Sequence, residues 1–373
     1  MKVAHISDCY LPRLGGIEIQ VTELTKRQAA AGHTVDVITA TPGHEVRAGV
    51  ESIDGVTVHR VTARMPFELP IHPRTRANVV PLLREIAPDV VHVHLGVVSP
   101  FAWGGIRAAV ELDLPVLVTV HSVWGSVARS GYGAVNNLAH WTARGVQPAA
   151  VSRVAADRIA AALPAGIDVL VTPNGVDPSE WNSAGRQPHD DAPVQFVTAM
   201  RLAPRKRAQP LLRMFATARG RCSESGVDIR LMVAGDGPQW DRLQAFIDDS
   251  GLHDCVSLLG RLSRSGLRDL YLQSDVFIQP SVKESFGLAA LEARATGLPI
   301  LARSQTGLTE FVHDGVEGLL ADDDDQLAES MCVIAEDRPL RARITDHNTT
   351  VLPAQVWSQV LQDVDDAYRT TIG

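Results

Sequence analysis

The sequence predicts an α/β protein built from two parallel-sheet domains joined by a linker. Three observations carry this. Short apolar runs alternate with amphipathic helical patterns from residue 2 to about 177. A polar, Pro- and Gly-bearing stretch, "PSEWNSAGRQPHDDA" (178–192), interrupts that alternation. The alternation then restarts and ends on an amphipathic helix with no strand after it. Apolar strands linked through helices form parallel sheets covered on both faces.

In the first half, "KVAHIS" (2–7), "TVDVITA" (34–40), "VTVHRVT" (56–62), "DVVHVHL" (89–95) and "PVLVTVH" (115–121) read as strands. Helices are expected over 18–32, ending at Gly32, over 76–88 with Pro81 as a kink point, and over "PFAWGGIRAAVELD". "PAAVSRVAADRIAAAL" and "DVLVTPNG" continue the pattern. In the second half the order is strand "VQFVTAM", a helix near 208–221, strand "DIRLMVAG", helix "PQWDRLQAFIDDSG", strand "CVSLLG", helix "SGLRDLYLQS", strand "DVFIQP", a helix from 286 and strand "LPILAR". The last helix spans 354–371. The domains are set at 1–182 and 183–353, with 354–373 as a separate helical segment.

The chain of 373 residues suits two domains of ordinary size. Its formal net charge of -8 argues against a protein that coats nucleic acid. Cys9, Cys222, Cys255 and Cys332 form no CxxC, so neither a zinc knuckle nor a redox pair is expected, and dispersed thiols fit a reducing cytoplasm. The N-terminus lacks a signal-type apolar stretch, and no run approaches the ~20 apolar residues of a membrane span.

Ligands of such sheets sit beyond the carboxyl ends of the strands. After the first strand come Gly15 and Gly16, directly before a helix: an ordinary turn, or a close approach of backbone to an anion. The dinucleotide fingerprint GxGxxG is absent, which disfavours a nicotinamide oxidoreductase. His121 closes the fifth strand, as a structural group or a hydrogen-bonding partner of substrate. His92 and His94 share one face of a buried strand, and no third metal ligand presents itself. In the second half "RLAPRKR" gathers Arg201, Arg205, Lys206 and Arg207, a solvated loop or a phosphate clamp. "SVKESFGLAALEA" puts Glu284 just before a helix, Gly287 and Leu288 at its start, and Glu292 two turns in. Amides at a helix start receive phosphate oxygens, and carboxylates accept vicinal sugar hydroxyls. The run Asp322 to Asp325 reads as a solvated loop and helix N-cap rather than a metal site.

"PSVKESFGLAALEARATGLPILA" resembles the E-x7-E signature of retaining nucleotide-sugar glycosyltransferases of family 4, which have the GT-B fold. "YLPRLGGIE", "PDVVHVH", "TVHS", "PNGVD", "RLAPRK", "VAGDGP", "LGRLS" and "DGVEGLL" follow the family's landmarks in order, over essentially the whole chain. The resemblance implies two Rossmann-like domains facing a cleft, the N-terminal one on the acceptor side, and a last helix that returns to it. Gly16 would approach the donor diphosphate, and His121 would bond the transferred sugar. Arg201 and Lys206 would neutralise the diphosphate without a metal or other cofactor. Glu284 would contact the sugar, Gly287 and Leu288 would offer amides, Glu292 would bind the ribose, and Gly235 and Arg261 would face the base. Met200, Arg207, Ser285 and the single Gly307 of "SQTGLTE" depart from the family pattern, and Ser285 and Thr306 leave the donor open.

The implied reaction moves a hexose from a nucleoside diphosphate sugar to an acceptor hydroxyl with retention, the leaving phosphate taking the acceptor proton. Family precedent in high-GC bacteria points to GDP-mannose or UDP-hexose donors and envelope glycolipid acceptors. Residues 60–84 mix Arg60, Arg64, Arg74, Arg76 and Arg84 with Met65, Phe67, Leu69 and Ile71. That composition suits either peripheral contact with an anionic membrane face or packed helix with solvated arginines. The rival readings are a sugar-nucleotide epimerase of the same fold and a non-catalytic nucleotide-sugar-binding protein.

Overall fold

In a computed structural model the described residues are 1–13, 15–63, 70–122, 141–186 and 193–373. They divide into two compact units, residues 1–175 with 357–373 and residues 176–356. The boundary expected at 182 thus falls at Gly175, and the terminal helix belongs with unit 1 from Trp357.

Unit 1 is built on an eight-stranded sheet. Its strands are β1 (Lys2–Ser7), β2 (Thr34–Thr39), β3 (Gly49–Ile53), β4 (Val56–Arg60), β5 (Val90–Leu95), β6 (Val116–Val120), β7 (Val146–Ala150) and β8 (Leu170–Val171), in the order β3-β4-β2-β1-β5-β6-β7-β8. β5 is buried along its whole length between β1 and β6, which explains its unbroken Val/His/Leu composition. Among the described residues its helices are α1 (Gly16–Ala30), α2 (Thr75–Ile86), α3 (Pro100–Glu111), α4 (Arg153–Ala160) and the terminal helix, which the unit 2 helices precede in chain order. α2 runs through Pro81. One expectation fails: β3 pairs antiparallel with β4, so the sheet carries a hairpin at its edge. Its turn is Asp54-Gly55, both at positive φ (50° and 81°), a pairing of residues that favours such tight reversals.

Unit 2 has six parallel strands: β9 (Val194–Ala199), β10 (Ile229–Ala234), β11 (Val256–Gly260), β12 (Val276–Gln279), β13 (Ile300–Arg303) and β14 (Gly318–Ala321), in the order β11-β10-β9-β12-β13-β14. Its helices are α5 (Ala208–Glu224), α6 (Trp240–Asp249), α7 (Arg264–Leu272), α8 (Leu288–Ala295), α9 (Asp324–Glu336) and α10 (Arg338–Thr350). The terminal helix is α11 (Trp357–Ile372). Its Trp357, Val360, Val364 and Tyr368 pack in a buried cluster with Val3, Val90 and Leu117. Gly175 lies so close to Trp357 that a Cβ there would meet the indole at 2.5 Å. The polar stretch after 177 is not wholly a solvated linker, because Trp181 is buried with its ring centroid 5.8 Å from that of Tyr271.

Candidate active site

In unit 2 the chain leaves β9, builds outward through β10 and β11, then crosses to β12 on the other side. The reversal leaves a crevice beyond the ends of β9 and β12. The loop after β9 carries Arg201 and Lys206, and the loop after β12 carries Glu284. They meet there: Lys206 Nζ lies 2.5 Å from Glu284 Oε2. Gln279 Nε2 donates to the same carboxylate oxygen at 3.4 Å, and the Gly307 amide donates to the Glu284 carbonyl at 3.0 Å. The Ser281 hydroxyl donates to the Lys206 carbonyl at 3.3 Å, tying the two loops together. Arg201 is exposed and has no ion-pair partner among the described residues.

The β9 loop is held by the loop after β10. Met200 and Leu202 donate backbone bonds to Ala234 and Asp236 at 3.0 and 2.9 Å. Gly235 (φ +127°) makes this approach feasible, since a Cβ would stand 1.8 Å from the Met200 carbonyl oxygen. Its amide donates to Gly260 at 2.7 Å, which brings the Gly235 turn against the turn that carries exposed Arg261.

Gly287, at φ +93°, turns the chain into α8 with no side-chain cap. A Cβ here would meet Leu308 at 2.6 Å. The helix therefore starts at Leu288 with unpaired N–H groups and the positive end of its dipole at the crevice. Two turns on, Glu292 is buried, and desolvation raises its pKa from 4.5 to about 8. Arg264 opposes this from 4.0 Å but is shared, being bidentate to Glu180 at 2.7 and 2.6 Å and stacked over Trp181. Sequence reasoning missed Arg264, Glu180 and Trp181; an aromatic inside a polar stretch was the available signal.

Two charged motifs prove structural. Arg207, in the left-handed region at φ 64°, pairs with Asp324, which also holds Arg303 at 2.7 Å. Asp323 caps α9 by accepting from the Gln326 amide at 2.8 Å.

In unit 1, β1 and β5 flank the corresponding reversal of strand order. Gly15 and Gly16 open α1 beyond β1. At Gly15 a Cβ would meet the Glu18 carboxylate at 2.4 Å, whereas at Gly16 it would meet nothing within 4 Å, so packing alone does not demand the second glycine. His121 follows β6, its amide donating to Leu95 at 2.8 Å and its Nε2 lying 3.0 Å from His94 Nδ1. Burial holds its pKa down at about 4, so the ring is neutral. The fold also supplies what the spacing of His92 and His94 lacked: His5 on β1 joins them, with ligand atoms of the three within 4.8 Å.

Of the 60–84 stretch, Arg64, Met65, Phe67 and Leu69 lie outside the described residues. Arg60 is buried, pairs with Glu51 and donates to the Leu11 and Thr41 carbonyls at 2.8 Å, so it is no surface charge. Exposed Arg74 and Arg76, with Arg107 and Trp103, line a cavity of about 580 Å³ between α2 and α3, where Arg76 meets Glu111 at 2.5 Å. Among the described residues no helix is long and apolar enough to cross a membrane.

The family models agree with this organisation. Residues 14–180 match "Glycosyltransferase Family 4" and residues 179–350 match "Glycosyl transferases group 1". A D-inositol 3-phosphate glycosyltransferase from Kribbella flavida is 30% identical over 391 residues, covering 95% of this chain and 91% of that protein. The chain belongs to the family 4 glycosyltransferases. A GDP-mannose-dependent alpha-mannosyltransferase from Mycolicibacterium smegmatis is 28% identical over 347 residues, 87% of this chain and 85% of the relative. Anabaena HepE, solved with UDP and glucose, superposes with a TM-score of 0.75 over 99% of this chain and 100% of its own at 18% identity, which establishes the GT-B fold.

Proposed function

We propose that this glycosyltransferase moves a hexose of mannose or glucose type, with retention and without a metal, from a nucleoside diphosphate sugar to a hydroxyl acceptor. The observation that carries this reading is the meeting of Lys206 and Glu284 at the strand-order reversal, directly ahead of the uncapped start of α8. The difficult part of the reaction is charge accumulating on the departing diphosphate. Arg201, Lys206 and the amides at Gly287 and Leu288 supply fixed positive potential for it. Glu284 takes hydroxyls of the transferred sugar and Glu292 those of the ribose. Gly235 and Arg261 flank the base. For unit 1 the family resemblance assigns Gly16 to the donor diphosphate and His121 to the transferred sugar. In the unliganded protein the Lys206–Glu284 pair holds both charges in place until phosphate and sugar take them over.

The names of the relatives bear on donor and acceptor. The mycobacterial relative is GDP-mannose-dependent, and HepE was solved with UDP and glucose. The Kribbella relative glycosylates D-inositol 3-phosphate, which supports a phosphorylated polyol or its lipid as acceptor, with peripheral membrane contact for the lipid.

Calorimetric titration with GDP, UDP and ADP in the absence of metal tests the donor site. Micromolar binding of one nucleoside diphosphate, lost in Lys206→Ala, is expected. Transfer assays with the matching nucleotide sugar then report the anomer by NMR. An inverted product, or binding that appears only with a divalent cation, removes the corresponding part of the reading. Epimerised donor in the absence of acceptor would replace it.

A further inference from the structure

β12 reads Val-Phe-Ile-Gln, three apolar residues closed by one amide, and all four are buried. Packing alone asks for a further apolar residue at Gln279, which is 3% exposed on a strand between β9 and β13. Its Nε2 donates to Glu284 Oε2 at 3.4 Å. A carboxylate oxygen accepts, so the amide cannot be turned the other way, and Gln279 Oε1 is left buried with no hydrogen bond. A buried acceptor without a partner destabilises a fold, so this polar group calls for a reason beyond the core. Its neighbours supply one. Lys206 Nζ reaches the same Glu284 oxygen at 2.5 Å. The Gly307 amide holds the Glu284 carbonyl at 3.0 Å, and the Ser281 hydroxyl holds the Lys206 carbonyl at 3.3 Å. Among the described residues no hydrogen bond reaches Glu284 Oε1. The carboxylate is gripped at one oxygen by two donors and open at the other. The donors differ in kind. Lys206 is a partly hydrated cation on a flexible stem, 20% exposed. Gln279 is fixed to a central strand and carries no charge to draw it to phosphate.

We propose that Gln279 is a positioning residue for Glu284. When a donor diphosphate draws Lys206 away, Gln279 keeps hold of Oε2, so the carboxylate stays in place and Oε1 is left for a hydroxyl of the transferred sugar. Without Gln279, loading the site strips a buried anion of its last donor on that oxygen. The proposal rests on the roles given above to Lys206 at the diphosphate and Glu284 at the sugar. It adds a residue of β12 that acts on the sugar only through Glu284.

The test is a double-mutant cycle between Gln279→Leu and Glu284→Gln in the full chain. It is read as release of GDP from GDP-mannose or of UDP from UDP-glucose, with D-inositol 3-phosphate or water as acceptor. Gln279→Leu is expected to lower kcat/KM on the order of 10-fold, low for a hydrogen bond to a charged group because this one is long. In the Glu284→Gln background the same change is expected to alter the remaining rate less than ~2-fold, since the carboxylate it steadies is gone. Urea unfolding of Gln279→Leu is expected to show a stability equal to or above wild type, because the unpaired Oε1 leaves with the amide. A residue needed only for packing gives the opposite pattern: lower stability and the same fold loss in both backgrounds. That pattern overturns the proposal, as does wild-type kcat/KM in Gln279→Leu beside a disabled Glu284→Gln. Wild-type turnover in Glu284→Gln overturns instead the reading of Glu284, and the proposal with it. Gln279→Met, close to glutamine in length, goes through the same cycle; if neither variant folds, Gln279 is a core residue and the proposal falls. If the wild type turns over neither donor, calorimetry with GDP, UDP and ADP takes the place of the rates. Gln279→Leu is then expected to weaken the nucleotide that binds ~10-fold with Glu284 present and not in Glu284→Gln. Unchanged affinity overturns the proposal, and a wild type that binds none of the three overturns the donor site itself.

Discussion

Glu292→Gln is expected to make the unliganded protein more stable and the nucleotide-sugar complex weaker. The Glu292 carboxyl is 7% exposed, and its pKa stands near 8 against 4.5. It therefore takes up a proton on folding between those two values. An acid whose pKa is raised by folding contributes its full stability below pH 4.5 and loses it as pH climbs toward 8. By pH 7 the accumulated cost is ~3 kcal/mol, from 1.36 kcal/mol per pH unit across the interval. The glutamine does not pay it. Urea unfolding of both proteins at several pH values from 5.5 to 8 gives the comparison: the wild type is expected to lose stability across this range and the variant to stay nearly flat relative to it. With Glu292 placed against the ribose as proposed, whose hydroxyls donate best to an ionised carboxylate, binding a nucleoside diphosphate sugar at pH 7 is expected to expel most of one proton, ~0.9 at full ionisation. Calorimetry in buffers of different ionisation enthalpy reads that proton directly, and Glu292→Gln is expected to abolish it while weakening binding. Parallel pH–stability curves for the two proteins, or identical binding enthalpies in every buffer, would refute the reasoning.

Gly235→Ala is expected to cost at least ~3 kcal/mol in urea unfolding, because φ +127° and a Cβ 1.8 Å from the Met200 carbonyl cannot both be accommodated; a change below 1 kcal/mol would show that the loop moves freely. Arg60→Met is expected to destabilise by ~3 kcal/mol, the low end for a broken buried pair because Glu51 keeps some contact with water, without altering liposome binding; lost flotation with intact stability would return Arg60 to the surface. Glu284→Gln is expected to lose at least ~100-fold in turnover while changing stability by no more than ~1 kcal/mol, since Lys206 is partly hydrated. Wild-type turnover would remove Glu284 from the site.

The strands and helices that position the site were legible because their cues are local. "KVAHIS" spans β1 to the residue, and glycines or charges within the first few residues after β9, β10 and β12 mark the loops that converge. The β3–β4 hairpin was missed although Asp54-Gly55 is a strong turn signal, because the short run 49–53 does not look apolar enough to be a strand when its outer edge is unpaired. What the sequence could not show is pairing across distance. His5 and His94 are 89 positions apart, and Glu180 and Arg264 are 84 apart. Arg60 reads as one arginine among several until its carboxylate and carbonyl partners are seen.

The burial of Trp181 has a practical consequence for recombining such enzymes. A chimaera spliced at 182/183 would import the unit 2 sheet stripped of Glu180 and Trp181, leaving Arg264 without its anchor and Glu292 beside a mobile cation. Spliced at 175/176, the transplanted half carries its own electrostatic scaffold, and the graft inherits the surroundings of Glu292 whole.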